Sequence, residues 1–488
     1  MKQNILKSLL ACLLTFAGMT VYAYDCVVDG IYYNLNAEDQ TASVTYRDYL
    51  TGDYSGVVSI PDKVEYGGVV YAVTAIGDVT FANSNELTKV VLPNSIISIG
   101  NNAFSYCGGL TEITIPGSVT YIGDWAFSSC NSLTTLIIPS SVTSIGNFLF
   151  PGCVSLERII VEEGNPCYDS RENCNAIIRT DGNEVTLLYG CKATRIPASV
   201  TAIGNNAFYD SGLTELVIPA NVTSLGEAAF ESCAALEKIV VEEGNPCFDS
   251  REDCNAIIRT DGDKAILVVG CKNTRIPASV TSIGDYAFSG CTGLTEFTVP
   301  GHITSIGKNA FAYCYGLAEL TISDGVTSIG ESAIKACNRL TKLAIPNSVT
   351  YIGETAFNTC RGLTEIVIGS GVTYIGDFAF NNCSALVTVF SLNTTPPQIF
   401  SSTYMSSTLS LATLHVPEGC KSLYGQAEGW KRFLNILDDI PSGIETAVVG
   451  QSKNSAIHTL DGVKLNTTNT SDLPSGIYVV DGKKMVVK

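Results

Sequence analysis

Apolar and polar positions follow one pattern of about 23 residues that returns along most of the chain. One copy, LTEITIPGSVTYIGDWAFSSCNS, runs from Leu110 to Ser132. Leu110, Ile113 and Ile115 keep an L-x-x-L-x-L spacing, and the two isoleucines flank Thr114 as a half-buried strand requires. Pro116 ends that strand, because it has no N–H to give a ladder. Val119 and Ile122 predict a second short extended piece. Gly123 marks a corner, where a recurring glycine predicts a positive φ or a close backbone approach. Ala126, Phe127 and Cys130 then have the spacing of one helical turn closing the coil. These apolar residues, Leu110 to Cys130, form the predicted inward set.

The Ile/Leu-Gly step recurs at Gly77, Gly100, Gly123, Gly146, Gly204, Gly226, Gly284, Gly307, Gly330, Gly353 and Gly376. Phenylalanine follows four residues later at Phe81, Phe104, Phe127, Phe150, Phe208, Phe230, Phe288, Phe311, Phe357 and Phe380. A fixed period in this range predicts a solenoid, since one coil cannot bury its own apolar face and must stack on its neighbours. Such folds present a long surface to a partner and seldom close a catalytic pocket.

Two spacings break the period. Gly146 to Gly204 and Gly226 to Gly284 each carry an extra segment, at residues 162–197 and 242–277, and the two are near copies. Strands around Ala176–Arg179 and Val185–Tyr189, joined at Asp181-Gly182, predict a β-hairpin, and the second copy turns at Asp261-Gly262. Each insert holds three cysteines, Cys167, Cys174 and Cys191, then Cys247, Cys254 and Cys271, so one disulfide in each is open and three pairings compete.

Residues 1–23 have the form of a secretory signal: Lys2 and Lys7, an apolar run from Leu9 to Val21, and Ala23 at the cut. Leu9-Leu10-Ala11-Cys12 offers a lipoprotein box as a second reading. Residues 24–73 predict an N-terminal β cap over the repeats of 74–390, since an open end exposes apolar side chains and unpaired strand groups. Residues 391–440 predict a closing cap in which SLYGQAEGWKRFLNIL is a helix with Tyr424, Trp430 and Phe433 on its apolar side. Residues 441–488 hold two paired-strand signals with Asp-Gly, a small β module.

Net charge is −18. That excludes a nucleic-acid role, which needs clustered Lys and Arg. Nine of the 18 cysteines occupy one column: Cys107, Cys130, Cys153, Cys233, Cys291, Cys314, Cys337, Cys360 and Cys383. A column at fixed register predicts buried thiols, though the rung spacing of about 4.8 Å leaves a bridge between neighbours open. No CxxC pair exists and the histidines are His302, His415 and His458, so no metal site is expected. No nucleophile elbow, HExxH, P-loop or dinucleotide fingerprint is present, and neither enzyme chemistry nor a cofactor is expected.

The pattern IGxxAFxxCxxLTxLxIPxSVTS resembles the BspA-type leucine-rich repeats of bacterial surface proteins, those of Bacteroides and its relatives above all. The resemblance covers residues 74–390. It implies a β-rich solenoid with short helical turns, and an exported adhesin or host-interaction protein whose partners are extracellular proteins, host matrix among them. The tail resembles a shortened type IX sorting module, and the VPEGC…Y…GW…F stretch resembles the closing cap of such proteins.

Candidate binding residues lie where the coil points outward. One column carries Lys89, Glu112, Thr135, Arg158, Glu215, Lys238, Glu296, Glu319, Lys342 and Glu365. A second carries Tyr121, Tyr351 and Tyr374, filled by Ser or Ala in other coils. Trp125, Phe148, Tyr286 and Phe378 sit two residues after the glycine and are expected to be partly exposed. The leading expectation is a protein-binding surface, and the second is glycan capture on the tyrosine-bearing face.

Overall fold

The computed structural model describes residues 24–47, 52–180 and 184–441, and the backbone of 444–445, 457–459, 476–480 and 483–487. The signal reading at residues 1–23 and the first hairpin turn at Asp181-Gly182 lie outside the described residues. The chain forms two compact units, one of residues up to Leu213 with Ser224–Ala229, the other of Thr214–Thr223 and Phe230 onward. Each is a β-solenoid in which every coil gives one rung to each of two parallel sheets.

In the first unit an antiparallel meander, Cys26–Val28, Ile31–Asn36 and Thr41–Thr45, covers the leading end. Its last strand pairs in parallel with Val69–Ile76. The two-residue strands Ser98–Ile99, Tyr121–Ile122 and Ser144–Ile145 then continue that sheet. The other sheet runs Gly56–Ser59, Leu87–Val91 and Glu112–Ile113, with Thr135–Ile138 pairing Arg158–Val161 beyond it. The first insert breaks the stack and restarts it. Ala176–Arg179 and Thr186–Gly190 pair antiparallel, and the second of them pairs in parallel with Ala202–Ile203.

The second unit repeats the plan. Ala256–Asp261 and Lys264–Gly270 form the hairpin, and Ser282–Ile283, Ser305–Ile306, Ser328–Ile329, Tyr351–Ile352 and Tyr374–Ile375 follow in register. The hairpin turns through Gly262 and Asp263, with φ +60° at the glycine, as a tight β-turn allows. Lys342–Ile345, Glu365–Ile368, Thr388–Ser391, Thr413–Pro417 and Asn435–Ile440 build the last broad sheet. In the tail, Gly476–Val480 pairs antiparallel with Lys483–Val487 and with Ile457–Thr459.

The inward set from Leu110 to Cys130 is buried throughout. Phe81, Phe104 and Phe127 stack face to face, with centroids 5.0 and 5.3 Å apart. In the second unit Phe288 stacks on Phe311, and Phe357 on Phe380, each at 5.0 Å. Tyr404 ends the latter column, 5.0 Å from Phe380, under Trp430 and Phe433. Its hydroxyl is buried without a hydrogen-bond partner. An orphaned buried hydroxyl costs about 1–3 kcal/mol. Tyr404→Phe should therefore leave stability unchanged or raise it by up to that amount in urea denaturation; a loss above about 1 kcal/mol would mean the hydroxyl has a partner.

Two expectations are corrected, and the open alternative for the glycine is decided. The back of the coil is not a helical turn. Trp125 and Ser129 both take the left-handed region, φ +57°, and similar pairs recur in other coils. This reverses alternate peptide groups, so Trp125, Phe127 and Ser129 donate to Asn147, Leu149 and Pro151 of the next coil at 3.0, 2.9 and 2.7 Å. A helical turn would spend those N–H groups within its own coil. Gly123 and Gly146 do not have positive φ. They are needed for close approach, since a Cβ on Gly146 would stand 2.4 Å from the Asp124 nitrogen. The closing-cap helix is only Lys421–Gln426, ended by Ala427 turning extended; Gly429 at φ +77° leads into a separate 3-10 turn, Trp430–Arg432, and Asn435–Ile440 is a strand. Tyr424, Trp430 and Phe433 are nonetheless buried.

All described cysteines are free thiols, so neither an insert bridge nor a bridge between coils is formed. Seven of the nine column thiols donate to a carbonyl of the coil before. The sulfhydryls of Cys107, Cys130 and Cys153 donate to the carbonyls of Phe81, Phe104 and Phe127 in the preceding coil, at 3.0–3.1 Å. Burial pushes Cys107, Cys291 and Cys360 up to about 12. The folded protein should therefore resist Ellman's reagent at pH 8, with the half-buried Cys167 and Cys247 reacting first and the column only on unfolding. Rapid native titration of the column would contradict this.

Candidate interaction surfaces

Outward positions on the broad sheets form two rows. In the first unit, one row is Lys89 in register with Glu112, followed by Thr135 in register with Arg158. Lys89 and Glu112 form an exposed ion pair, and Arg158 stands exposed beside Thr135. The neighbouring row is Val91, Thr114, Ile137 and Ile160. Val91 and Ile137 are 44% and 41% exposed, and Ile160 is half-buried. Sequence reasoning missed this apolar row. Its signal is the residue between the two inward isoleucines, polar in Leu110–Ile115 but Ile137 in the next coil.

In the second unit, Glu215 pairs with Lys238 at 2.6 Å, with Val217 and Val240 alongside. Glu296 and Glu319 are like charges on adjacent rungs, both exposed. Lys342 and Glu365 approach to 3.4 Å. Exposed pairs of this kind contribute less than about 1 kcal/mol each, so the row is not there for stability.

The tyrosine row lies on the other sheet of each unit and does not merge with the charged row. Tyr121 is exposed between Ser98 and Ser144. Tyr351 and Tyr374 are brought together, their rings parallel within 4° and 5.1 Å apart. Phe400 meets Tyr374 edge-on at 5.8 Å. Burial pushes the Tyr374 phenol up, with Tyr351, Glu354 and Asp377 adding to the shift.

At the back of the first unit, Trp125 and Phe148 stack at 4.3 Å with Tyr209 edge-on to both, and all three are half-buried. Tyr286 is half-buried and Phe378 exposed in the same column of the second unit.

Other polar groups serve the scaffold. The carboxylates of Glu162 and Glu242 accept the Ser140 and Ala220 N–H groups at 3.0 and 3.1 Å. Asn165 donates to the Pro139 and Val142 carbonyls, and Asn245 repeats this in the second insert. His302 bonds the Pro277 carbonyl, and His415 pairs with Asp439. Among the described residues, no group of three His, Cys, Asp or Glu is placed to hold a metal. Among them, too, no helix is long and apolar enough to cross a membrane.

Stacked coils with L-x-x-L-x-L strands, one aromatic column and laterally exposed rows define a leucine-rich-repeat scaffold, a class built to present surface. The model of the BspA-type leucine-rich repeat region matches residues 71–175, 187–253 and 268–387 in six copies, more than half of the chain. The chain belongs to that family. It is similar to a leucine-rich cell surface protein of Faecalibacterium prausnitzii at 28% identity, covering 75% of this chain and 94% of that one, TM-score 0.44. The pneumococcal vaccine antigen PcpA matches at 18% identity, covering 86% and 100%, TM-score 0.46. A leucine-rich repeat protein of Bacteroides ovatus matches at 24%, covering 75% and 94%, TM-score 0.29. A comparison with curated proteins finds none that matches.

Proposed function

We propose that this is an exported, surface-associated, non-enzymatic protein that binds extracellular proteins of a host or of other bacteria, in the manner of an adhesin. The observation that carries this reading is the first unit's outward face, where exposed Val91 and Ile137, on either side of the exposed Thr114 rung, and half-buried Ile160 lie beside Lys89, Glu112 and Arg158. An apolar strip bordered by charge is the anatomy of a protein interface, with a dry centre and a wet rim. The core needs none of these side chains. The family and the apolar leader support export.

The test is retention of host matrix proteins and bacterial envelope fractions on the immobilised chain. Specific retention that falls at least tenfold with Ile137→Glu and with Arg158→Glu, at unchanged melting temperature, is expected. Retention indifferent to both, or none at all, would overturn the assignment.

A further inference from the structure

The second unit carries an aromatic stack with one face open. Tyr351 and Tyr374 are rungs of neighbouring coils, paired in register, with rings parallel within 4° and 5.1 Å apart. Phe400 meets Tyr374 edge-on. Rings stacked at about the rung spacing, ~4.8 Å, lie with their planes across the row. The other face of Tyr351 looks toward the next rung, Ser328, whose side chain is too short to fill a ring's layer. Tyr351 is 44% exposed, so that layer opens to solvent.

The carboxylates beside this face are not spent on the scaffold. At the corner after the glycine, a short side chain elsewhere holds the next coil. Asp78, Asn101 and Asp124 accept the Asn101, Asp124 and Asn147 N–H groups, and Asp285 accepts that of Lys308. Glu331 takes this corner in the coil of Ser328, and Glu354 takes it in the coil of Tyr351. Both are exposed. Glu331 approaches Lys308 at 3.6 Å, and among the described residues Glu354 meets no cation. Burial pushes the Tyr374 phenol up, and Tyr351, Glu354 of the preceding coil and Asp377 of its own coil add to it. The corner carboxylates therefore flank the stack. The repeat sets Glu331 and Glu354 about Tyr351 as it sets Glu354 and Asp377 about Tyr374.

We infer that the open face of Tyr351, between Glu331 and Glu354, docks an arginine side chain from a basic segment of a partner protein. A guanidinium is flat. Entering from solvent across the row, it lies parallel to the ring over Ser328, inside the ~6 Å within which an aromatic face holds a cation. The N–H groups at its rim then meet the carboxylates in charge-assisted hydrogen bonds. A lysine ammonium brings the charge without the stacked plane. A neutral group on the ring would cover the carboxylates without compensating their charge. The net charge of −18 draws a basic partner in and turns an acidic one away. This surface goes beyond the strip proposed above. It shares no residue with Val91, Ile137 and their charged neighbours, so the two readings stand or fall separately.

The test uses the full chain and a fluorescein-labelled peptide in which three arginines alternate with serine, read by anisotropy. Salt is kept at about 0.15 M, where long-range attraction between exposed charges is screened. Matched peptides carry lysine or citrulline in place of arginine, and citrulline keeps the flat shape without the charge. The arginine peptide is expected to bind, the lysine peptide at least threefold more weakly and the citrulline peptide at least tenfold more weakly. Affinity for the arginine peptide should fall at least tenfold with Tyr351→Ala, and likewise with Glu331→Gln plus Glu354→Gln. Glu296→Gln plus Glu319→Gln removes the same charge from the other sheet and should change nothing. Melting temperatures should match throughout. No binding of the arginine peptide, equal binding of the lysine or citrulline peptide, indifference to Tyr351→Ala, or equal losses from the two glutamine pairs would each overturn the assignment.

Discussion

Phe127→Ala should cost the protein about 3–5 kcal/mol, the usual loss when a buried aromatic ring leaves a cavity. Phe127 is fully buried and its ring lies 5.3 Å from Phe104, nearly parallel. The vacated space cannot close by local collapse. The Phe127 N–H donates to Leu149 at 2.9 Å, and its carbonyl accepts the Cys153 sulfhydryl at 3.0 Å, so the backbone is held by the next coil. In a solenoid each coil is stabilised mainly by its neighbours, and damage to one coil weakens two interfaces. Denaturant unfolding of the variant measures the loss. Phe378→Ala, at an exposed ring, is the control and should lie within about 0.5 kcal/mol of the parent. A similarly small loss at Phe127 would mean that the aromatic column is not the core.

Gly146→Ala should cost about 1–3 kcal/mol, although alanine is the smallest possible addition. The new Cβ would stand 2.4 Å from the Asp124 nitrogen, 2.5 Å from its Oδ1 and 2.6 Å from the Gly123 carbonyl carbon. None of these atoms can yield readily. Asp124 Oδ1 accepts the Asn147 N–H at 2.6 Å, one step of a ladder in which Asp78 and Asn101 serve Asn101 and Asp124 in the same way. Relief would require separating two coils. Gly117→Ala is the contrast. It has open space around it and no positive φ, so that change should be neutral or stabilise by about 0.4–1 kcal/mol through the unfolded chain. Equal behaviour of the two variants in thermal unfolding would exclude close approach as the reason for the glycine.

The repeat made the solenoid legible because its apolar spacing has one solution. Leu110, Ile113, Ile115, Val119, Ile122 and Phe127 can share one interior only if the chain winds once per unit. The inward thiols were legible for the same reason, since a fixed register points every copy the same way. The outward charged row was legible as a column, yet its meaning was not. Lys238 and Glu215, like Glu296 and Glu319, lie one repeat apart with no insert between them, so their adjacency was legible; which partner the row meets was not.

What the sequence by itself determined was therefore the period, the interior and the family. These follow from apolar side chains that must leave water, and a one-dimensional pattern is enough to say which. Tertiary structure alone decided what happens between coils. It placed left-handed Trp125 and Ser129 where a helical turn was expected, because N–H groups on the back bond across coils and not within them. It chose close approach over positive φ for Gly146. Those outcomes rest on distances between residues a full coil apart, and no spacing along the chain contains them.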